Sequence, residues 1–188
     1  MDYFKYAWSV VKEDLVAWII LGLVVAVANQ FFIGLFLMPQ LIRVVRKSMA
    51  DNMAPAIGDY FNFDHISNDA ITMVVLIAVY FVSALACYLP IFAAIPLLFW
   101  AQHLAAENRY EPIDNLKASF AHAKENFGTI FVTLFVIWLC GMAVVMVTCG
   151  LGGLVIMPMM IVAFEKFYQD NRADIFAAAE AAGVPSHA

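Results

Sequence analysis

Charge is scarce in this sequence, and it is unevenly placed. Asp, Glu, Lys and Arg make up 13% of the 188 residues, about half the share of an ordinary globular domain. The 10 basic and 15 acidic side chains fall in four clusters, at residues 2–14, 43–69, 107–125 and 165–180. The net charge of −5 and the lack of a basic stripe disfavour a nucleic-acid-binding protein.

Three runs without a formal charge separate these clusters, at residues 15–42, 70–106 and 126–164. An apolar run of about 18 residues is already a candidate for a membrane span, and 64% of the chain is hydrophobic. The sequence therefore predicts an all-α, polytopic integral membrane protein. The first run is not expected to be a cleavable signal peptide, because it is too long and no basic segment precedes it.

Cysteine is also rare. Cys87, Cys140 and Cys149 all lie in apolar runs, and an odd number cannot pair completely. We expect them to pack as small hydrophobic residues rather than to form disulfides or bind metal.

The chain contains a threefold pattern. The segment Met38-Pro39 recurs as Met157-Pro158, and each proline is followed twelve residues later by an acid–Asn pair, Asp51-Asn52 and Asp170-Asn171. A middle copy runs from Pro96 to the pair at 107–108. We interpret the chain as one membrane domain with repeat units at about 1–52, 57–108 and 114–171, followed by a helical tail at 172–188.

The length of the runs predicts that each folds back on itself. A single helix over the second or third run would be roughly 55–60 Å long, whereas the hydrocarbon core is about 30 Å thick. Breaks are expected at 88–90, which contains a proline, and at 148–153, which is rich in glycine. Asn29 and Gln30 mark a third break, in the first run. We predict six short transmembrane helices in three hairpins, each hairpin preceded by an amphipathic interfacial helix; a five-helix arrangement is the alternative.

Three hairpins would place every Lys and Arg on one face of the membrane. By the positive-inside rule, both termini are then cytoplasmic, in a bacterial inner membrane. Because Pro39 and Pro158 occupy equivalent places, we expect equivalent kinks at the two prolines.

The openings of units two and three, residues 58–63 (GDYFNF), 116–120 (LKASF) and 124–126 (KEN), carry a resemblance to a known family. The pattern of interfacial helix, hairpin and acid–Asn closure resembles the membrane domain attached to some bacterial glycerophosphoryl diester phosphodiesterases, and its standalone relatives. The resemblance implies the membrane architecture. No phosphodiesterase domain is present in this sequence, so it implies no catalytic residue.

No constellation of catalytic or cofactor-binding residues is apparent. His65, His103 and His122 lack the spacing of metal ligands and are interpreted as solvated interfacial side chains. Glu13 and Asp14 are interpreted as a charged helix edge. Since no formal charge lies within the apolar runs, the sequence also argues against ion-coupled transport. We predict no enzyme, no metal and no cofactor.

Two sets of polar residues are candidates for contacts. One is the basic cluster after the first run, which either binds lipid phosphate or serves as a plain topology signal: Arg43, Arg46 and Lys47. The other consists of polar side chains within the apolar runs, expected at turns or in interhelical hydrogen bonds: Asn29, Gln30, Ser83, Tyr88, Thr133 and Thr148.

These features favour a structural or accessory membrane protein that assembles with itself or with a larger membrane complex. Small and polar residues are expected at the helix–helix contacts of such an assembly: Gly22, Ala26, Ser83 and Gly141. A passive pore or a transporter of lipids or small solutes is the second hypothesis. A membrane enzyme acting on lipids ranks last. Membrane lipids are the other expected partners.

Overall fold

A computed structural model describes residues 2–30, 33–85, 89–148 and 152–186. Within these ranges the chain is helical, with turns between the helices and no strand. The predicted all-α class is therefore confirmed. The elements in chain order are α1 (Asp2–Val11), a 3-10 turn (Lys12–Asp14), α2 (Leu15–Gln30), α3 (Ile33–Phe36), α4 (Met38–Asp51), α5 (Ile57–Tyr60), α6 (Ile66–Leu85), α7 (Leu89–Leu98), α8 (Ala101–Glu107), α9 (Pro112–Ala123), α10 (Phe127–Val147) and α11 (Gly153–Ala181).

The three apolar runs are each divided into more than one helix. The second run is divided between α6 and α7, and the third between α10 and α11. In the first run α2 ends at Gln30, next to the predicted break at Asn29 and Gln30. Residue 88, part of the expected break in the second run, lies outside the described residues. The boundary in the third run therefore falls beside the glycines that predicted it, whereas the residues that follow α2 and α6, 31–32 and 86–88, lie outside the described residues.

The number of spans differs from the prediction. Two described helical segments are long and apolar enough to cross a membrane, Ile66–Ala84 and Phe127–Val147. The helix α2 has 16 residues and α7 has 10, which correspond to roughly 24 and 15 Å. In α11 charge begins at Glu165. Six transmembrane helices in three hairpins are therefore not supported, because breaking each run left most arms too short.

The chain divides into two compact units. The first comprises Met1–Asn62 and Val132–Gln169, and the second Phe63–Phe131 and Asp170–Ala188. In the first unit, side chains of α2, α4 and α11 converge on a small apolar gap. They are Trp18, Leu21, Gly22, Val25, Leu41, Val45, Pro158 and Ile161.

Glycines permit close helix packing in the first unit. The ring of Pro158 lies 3.6 Å from the position that a Cβ on Gly22 would take, and a Cβ on Gly141 would collide with Met160. Both glycines were expected in contacts between molecules. Here their surfaces are instead occupied by α11 of the same chain. A Cβ on Gly153 would lie 3.8 Å from Val145, so α10 and α11 pack antiparallel around the turn between them.

The second unit is built from α6, α7, α8, α9, the start of α10 and the end of α11. Its fully buried large side chains include Trp100, Leu104 and Ile175. The last helix, α11, ends at Ala181 and is followed by Gly183, whose φ is +70°. The N–H of Val184 bonds the carbonyl of Ala179 at 3.0 Å, and the N–H of Gly183 bonds that of Glu180 at 2.9 Å. This is a Schellman cap, as expected for a glycine followed by Pro185.

The prolines and acid–Asn pairs of the three proposed units differ in detail. Asn52 and Asn108 follow α4 and α8 with φ of 50° and 53°, and each ends its helix in the left-handed conformation. Asn171 instead lies within α11. Pro39 is in the first turn of α4, whereas Pro158 is inside α11. The two prolines therefore do not occupy the same place in a helix, and the expected equivalent kinks stay a prediction.

Candidate functional site

An ion pair connects α4 and α11 in the first unit. The Nε of Arg46 donates to Oε1 of Glu165 at 2.7 Å, and the side chain of Glu165 is completely buried. The same oxygen accepts a hydrogen bond from the Gln169 amide at 2.6 Å, and the guanidinium lies 5.2 Å from the centroid of the Tyr168 ring. Several donors thus compensate for removing the carboxylate from water.

This buried carboxylate corrects one argument from the sequence. The sequence argues against ion-coupled transport because that function requires a buried ionisable group and no formal charge lies inside the apolar runs. Glu165 directly follows the third run and is fully buried, and Asp69 directly precedes the second run and is also fully buried. Two of the buried acids therefore lie at run boundaries, whereas Asp114, also buried, lies within a charged cluster.

The predicted basic cluster is partly engaged in ion pairs. Arg46 binds Glu165, and the ammonium of Lys47 lies 2.6 Å from Oδ2 of Asp59. Hydrogen bonding to Asp59 and the attraction of its charge raise the pKa of Lys47. The Lys47 side chain is still 61% exposed and Arg43 is half-buried, so contact of this cluster with lipid phosphate stays a prediction.

In the second unit Ser119 connects α9 to the break between α7 and α8. Its hydroxyl donates to the carbonyl of Leu97 at 2.9 Å and accepts from the N–H of Trp100 at 3.2 Å. Pro96 lies just before this break, inside α7. Because a proline and the helix end both leave backbone groups without helical partners, the buried Ser119 hydroxyl satisfies one donor and one acceptor there.

Two histidines lie in the core of this unit rather than at a solvated edge. His103 is 2% and His122 3% exposed. The indole N–H of Trp100 donates to Nδ1 of His122 at 3.1 Å. Burial lowers the pKa of His122, and Asp174 and Glu125 partly oppose that shift. The interpretation of His103 and His122 as solvated was wrong, whereas His65 is exposed.

A second pair of buried polar residues joins α6 to α9. The Asn115 amide donates to the hydroxyl of Thr72 at 3.2 Å, and both side chains are fully buried. Among the described residues, no three His, Cys, Asp or Glu side chains are grouped as a metal site would require. The hydrogen bond between Asn115 and Thr72 connects α6 and α9.

The polar residues expected within the membrane differ in exposure. Asn29 and Gln30 are exposed at the end of α2, and Ser83 and Thr133 are half-buried. The hydroxyl of Thr148 donates to the carbonyl of Val144 and accepts from the N–H of Gly152, both at 2.7 Å. Thr148 therefore stabilises the turn that begins α11. Tyr88 lies outside the described residues.

A cavity of about 340 Å³ lies in the first unit, where α1, the 3-10 turn, the start of α2 and the end of α4 meet. Trp18, 1% exposed, separates it from the apolar gap described above, since it lines both. One of its carboxylates, Asp14, accepts the N–H of Ala17 at 3.2 Å and caps the start of α2. The cavity is lined by Tyr6, Ser9, Val10, Glu13, Asp14, Trp18, Ser48, Asn52, Met53 and Ala54.

The sequence contained a signal for the buried polar residues that spacing rules for metal and catalytic sites do not detect. Arg46, His103 and Glu165 each lie seven residues after a proline of the threefold pattern. Of the three, His103 and Glu165 are buried, whereas Arg46 is partly exposed. Comparing the proposed units position by position would have marked them.

Comparison of the chain with protein-family models, with curated proteins and with solved structures gives no match.

Proposed function

We propose that this chain is a structural or accessory integral membrane protein that assembles with copies of itself or with a larger membrane complex. The observation that carries the proposal is the apolar surface of α6 and α10. In each candidate span, only 22% of an apolar stretch of 18 residues is buried within the chain. Exposed apolar patches larger than a few hundred Å² are rare on soluble monomers and mark contacts with lipid or protein.

The surface of α10 is rich in large side chains. Phe135 is 49% exposed, Trp138 50% and Leu139 50%. The rings of Phe135 and Trp138 lie 6.4 Å apart, which makes a continuous aromatic face. Such a face favours lipid tails, or a partner helix within the bilayer, over water.

The proposal includes an orientation, with both termini in the cytoplasm of a bacterial cell and the membrane being the inner one. It requires each apolar run to enter and leave the membrane on the same side, so that α6 and α10 are each paired with a shorter arm that returns. It is supported by the absence of Lys and Arg from the segments between the arms of each run. Single cysteines introduced at Asn29, Asp51 and Glu111, on a background without the native thiols, test it. Position 29 should react with an impermeant maleimide from outside the cell, and positions 51 and 111 only after permeabilisation. Reaction of position 51 in intact cells would contradict the orientation.

The assembly itself is tested by the mass of the protein in mild detergent. Native mass spectrometry should find complexes above the 20.9 kDa of one chain, either multiples of it or complexes with a fixed partner. The variant Trp138→Ala should reduce the assembled fraction, while Trp8→Ala, which removes an exposed indole from α1, should not. A monomer at all concentrations, with no copurifying protein, would contradict the assembly role.

A passive pore or a carrier of lipids or small solutes is the second candidate. The cavity in the first unit favours it, because its volume is within the range of small-molecule sites, about 300–1,000 Å³. Flux of a fluorescent lipid or small solute across proteoliposomes would support this role over a purely structural one. No reaction is proposed for the chain.

A further inference from the structure

The cavity of the first unit has a distinctive chemical lining. Side-chain oxygens come from a phenol, two hydroxyls, an amide and the carboxylates of Glu13 and Asp14. Among the described residues that line it there is no Lys, Arg or His. A polar cavity with two acidic groups and no basic group attracts a cation and repels an anion.

Aromatic side chains add to this preference. Tyr6 and Trp18 both line the cavity, and the electron-rich faces of tyrosine and tryptophan attract ammonium groups. Nζ of Lys166 lies 5.6 Å from the centroid of the Tyr6 ring, so this ring already has a cation beside it and Trp18 is the aromatic wall that remains for a ligand. Carboxylates combined with aromatic rings are typical of sites for organic cations.

We propose that this cavity binds an ammonium group, primary or quaternary, carried by a small organic molecule or by a lipid headgroup. Glu13 supplies the negative charge, Trp18 supplies the aromatic wall, and the oxygens of Ser9 and Asn52 accept hydrogen bonds from a primary ammonium. The volume of about 340 Å³ accommodates an ethanolamine or choline moiety but not an acyl chain as well.

The position of the cavity is suited to a headgroup. It lies where the amphipathic α1 is followed, through the 3-10 turn, by the apolar α2. In a membrane protein such a step between an amphipathic and an apolar helix is at headgroup depth. This choice of source rests on the proposed membrane location, whereas binding of a soluble amine does not require it.

The test uses the full chain in detergent and in nanodiscs. Ethanolamine and choline are titrated against the detergent-solubilised protein by calorimetry, with glycerol 3-phosphate as an anionic probe. For the lipid source, native mass spectrometry measures which lipid remains bound after release from nanodiscs that contain equal amounts of phosphatidylethanolamine and phosphatidylglycerol.

The variants are Glu13→Gln, which removes charge at constant shape, and Ala54→Leu, which fills space without changing charge. Glu125→Gln is the control, because Glu125 is an exposed acid in the other unit.

We expect the ammonium probes to bind and the anionic probe not to bind. Glu13→Gln should weaken binding about three- to fivefold, as expected for one exposed charge contact, and Ala54→Leu should weaken it at unchanged charge. Glu125→Gln should have no effect. If phosphatidylethanolamine is retained and its retention is lower in Glu13→Gln, the lipid headgroup is the source of the ammonium. If only the soluble amines bind, the source is a free amine.

The proposal is overturned if neither the amines nor phosphatidylethanolamine bind, or if Glu13→Gln and Glu125→Gln behave alike. Far-UV circular dichroism confirms that each variant is folded. The outcome is separable from the assembly role, because the mass in detergent and the binding of amines are measured independently.

Discussion

Arg46 and Glu165 form a 2.7 Å ion pair across a separation of 119 residues, the same separation that relates Pro39 to Pro158. Each member of the pair therefore lies seven residues after its proline. Residues at matching positions of two repeats meet when the repeats pack around a local twofold axis. The contact is compatible with such an arrangement, and the relationship between units one and three stays a prediction.

The buried carboxylate of this pair should be important for stability. Replacing Glu165 by Ala leaves Arg46 without its main partner and is expected to lower the free energy of unfolding by about 3 kcal/mol. Glu165→Gln should cost less, because the amide oxygen still accepts from the guanidinium. The measurement is unfolding in mixed detergent micelles, followed by circular dichroism. The exposed pair of Lys47 and Asp59 is the control, and Lys47→Ala should have a much smaller effect.

Ser119 should be the most sensitive hydroxyl of the second unit. The change Ser119→Ala removes both hydrogen bonds at the break between α7 and α8 and leaves a buried N–H and carbonyl unsatisfied. We expect a loss of about 1–3 kcal/mol of unfolding free energy. Ser9→Ala is the matched control, because the hydroxyl of Ser9 also bonds a backbone carbonyl, that of Tyr6, but is exposed. Equal effects of the two changes would contradict this role.

The three asparagines of the repeat pattern should respond differently to glycine and alanine. At Asn52 and Asn108 the positive φ favours glycine, so Asn→Gly should be tolerated, whereas Asn→Ala should cost about 1 kcal/mol. At Asn171, inside α11, the order should reverse, because alanine is the better helix former by about 1 kcal/mol. Thermal unfolding of the six variants in one detergent measures the order. The same order at all three sites would mean that α11 ends, or bends sharply, at Asn171.

Stability should fall as the pH is lowered through the range in which His122 titrates. Burial lowers the pKa of His122 in the folded chain, so at pH values below about 6.5, the ordinary histidine pKa, the unfolded chain binds a proton that the folded chain does not. Folding is then progressively disfavoured down to the folded pKa, and the loss levels off below it. A proton on Nδ1 would also remove the acceptor for the Trp100 indole. His122→Asn should flatten the dependence between pH 5 and 7, and His65→Gln, at an exposed site, should not.

Features of the fold that depend on local interactions could be predicted from the sequence, whereas features that depend on tertiary packing could not. The helix breaks beside Gln30 and at Thr148 were predictable, because amides, glycines and prolines act on their own backbone. The burial of His103, His122 and Glu165 was not predicted. The burial of Glu165 depends on packing against α4, far away along the chain, and that of His103 and His122 depends on how their helices pack in the second unit. The number of spans was overestimated for a related reason, since hydrophobicity gives the length of a run but not that of the helices within it.

The apolar face of α10 distinguishes a membrane location from an aqueous one. Val136 is near the middle of this helix and is 43% exposed. In water, Val136→Arg should leave stability nearly unchanged, as is usual for exposed positions. In a bilayer, an arginine at the centre of a span costs about 2.5–3.5 kcal/mol of insertion free energy. We therefore expect the variant to reduce the fraction of α10 that inserts across microsomal membranes, measured by glycosylation mapping of the segment in a host protein.

Val147→Arg is the control, because a side chain at the end of the helix can reach the headgroups and insertion should be nearly unchanged. If both arginines are tolerated equally, α10 does not span the membrane and its aromatic face must be covered by protein instead.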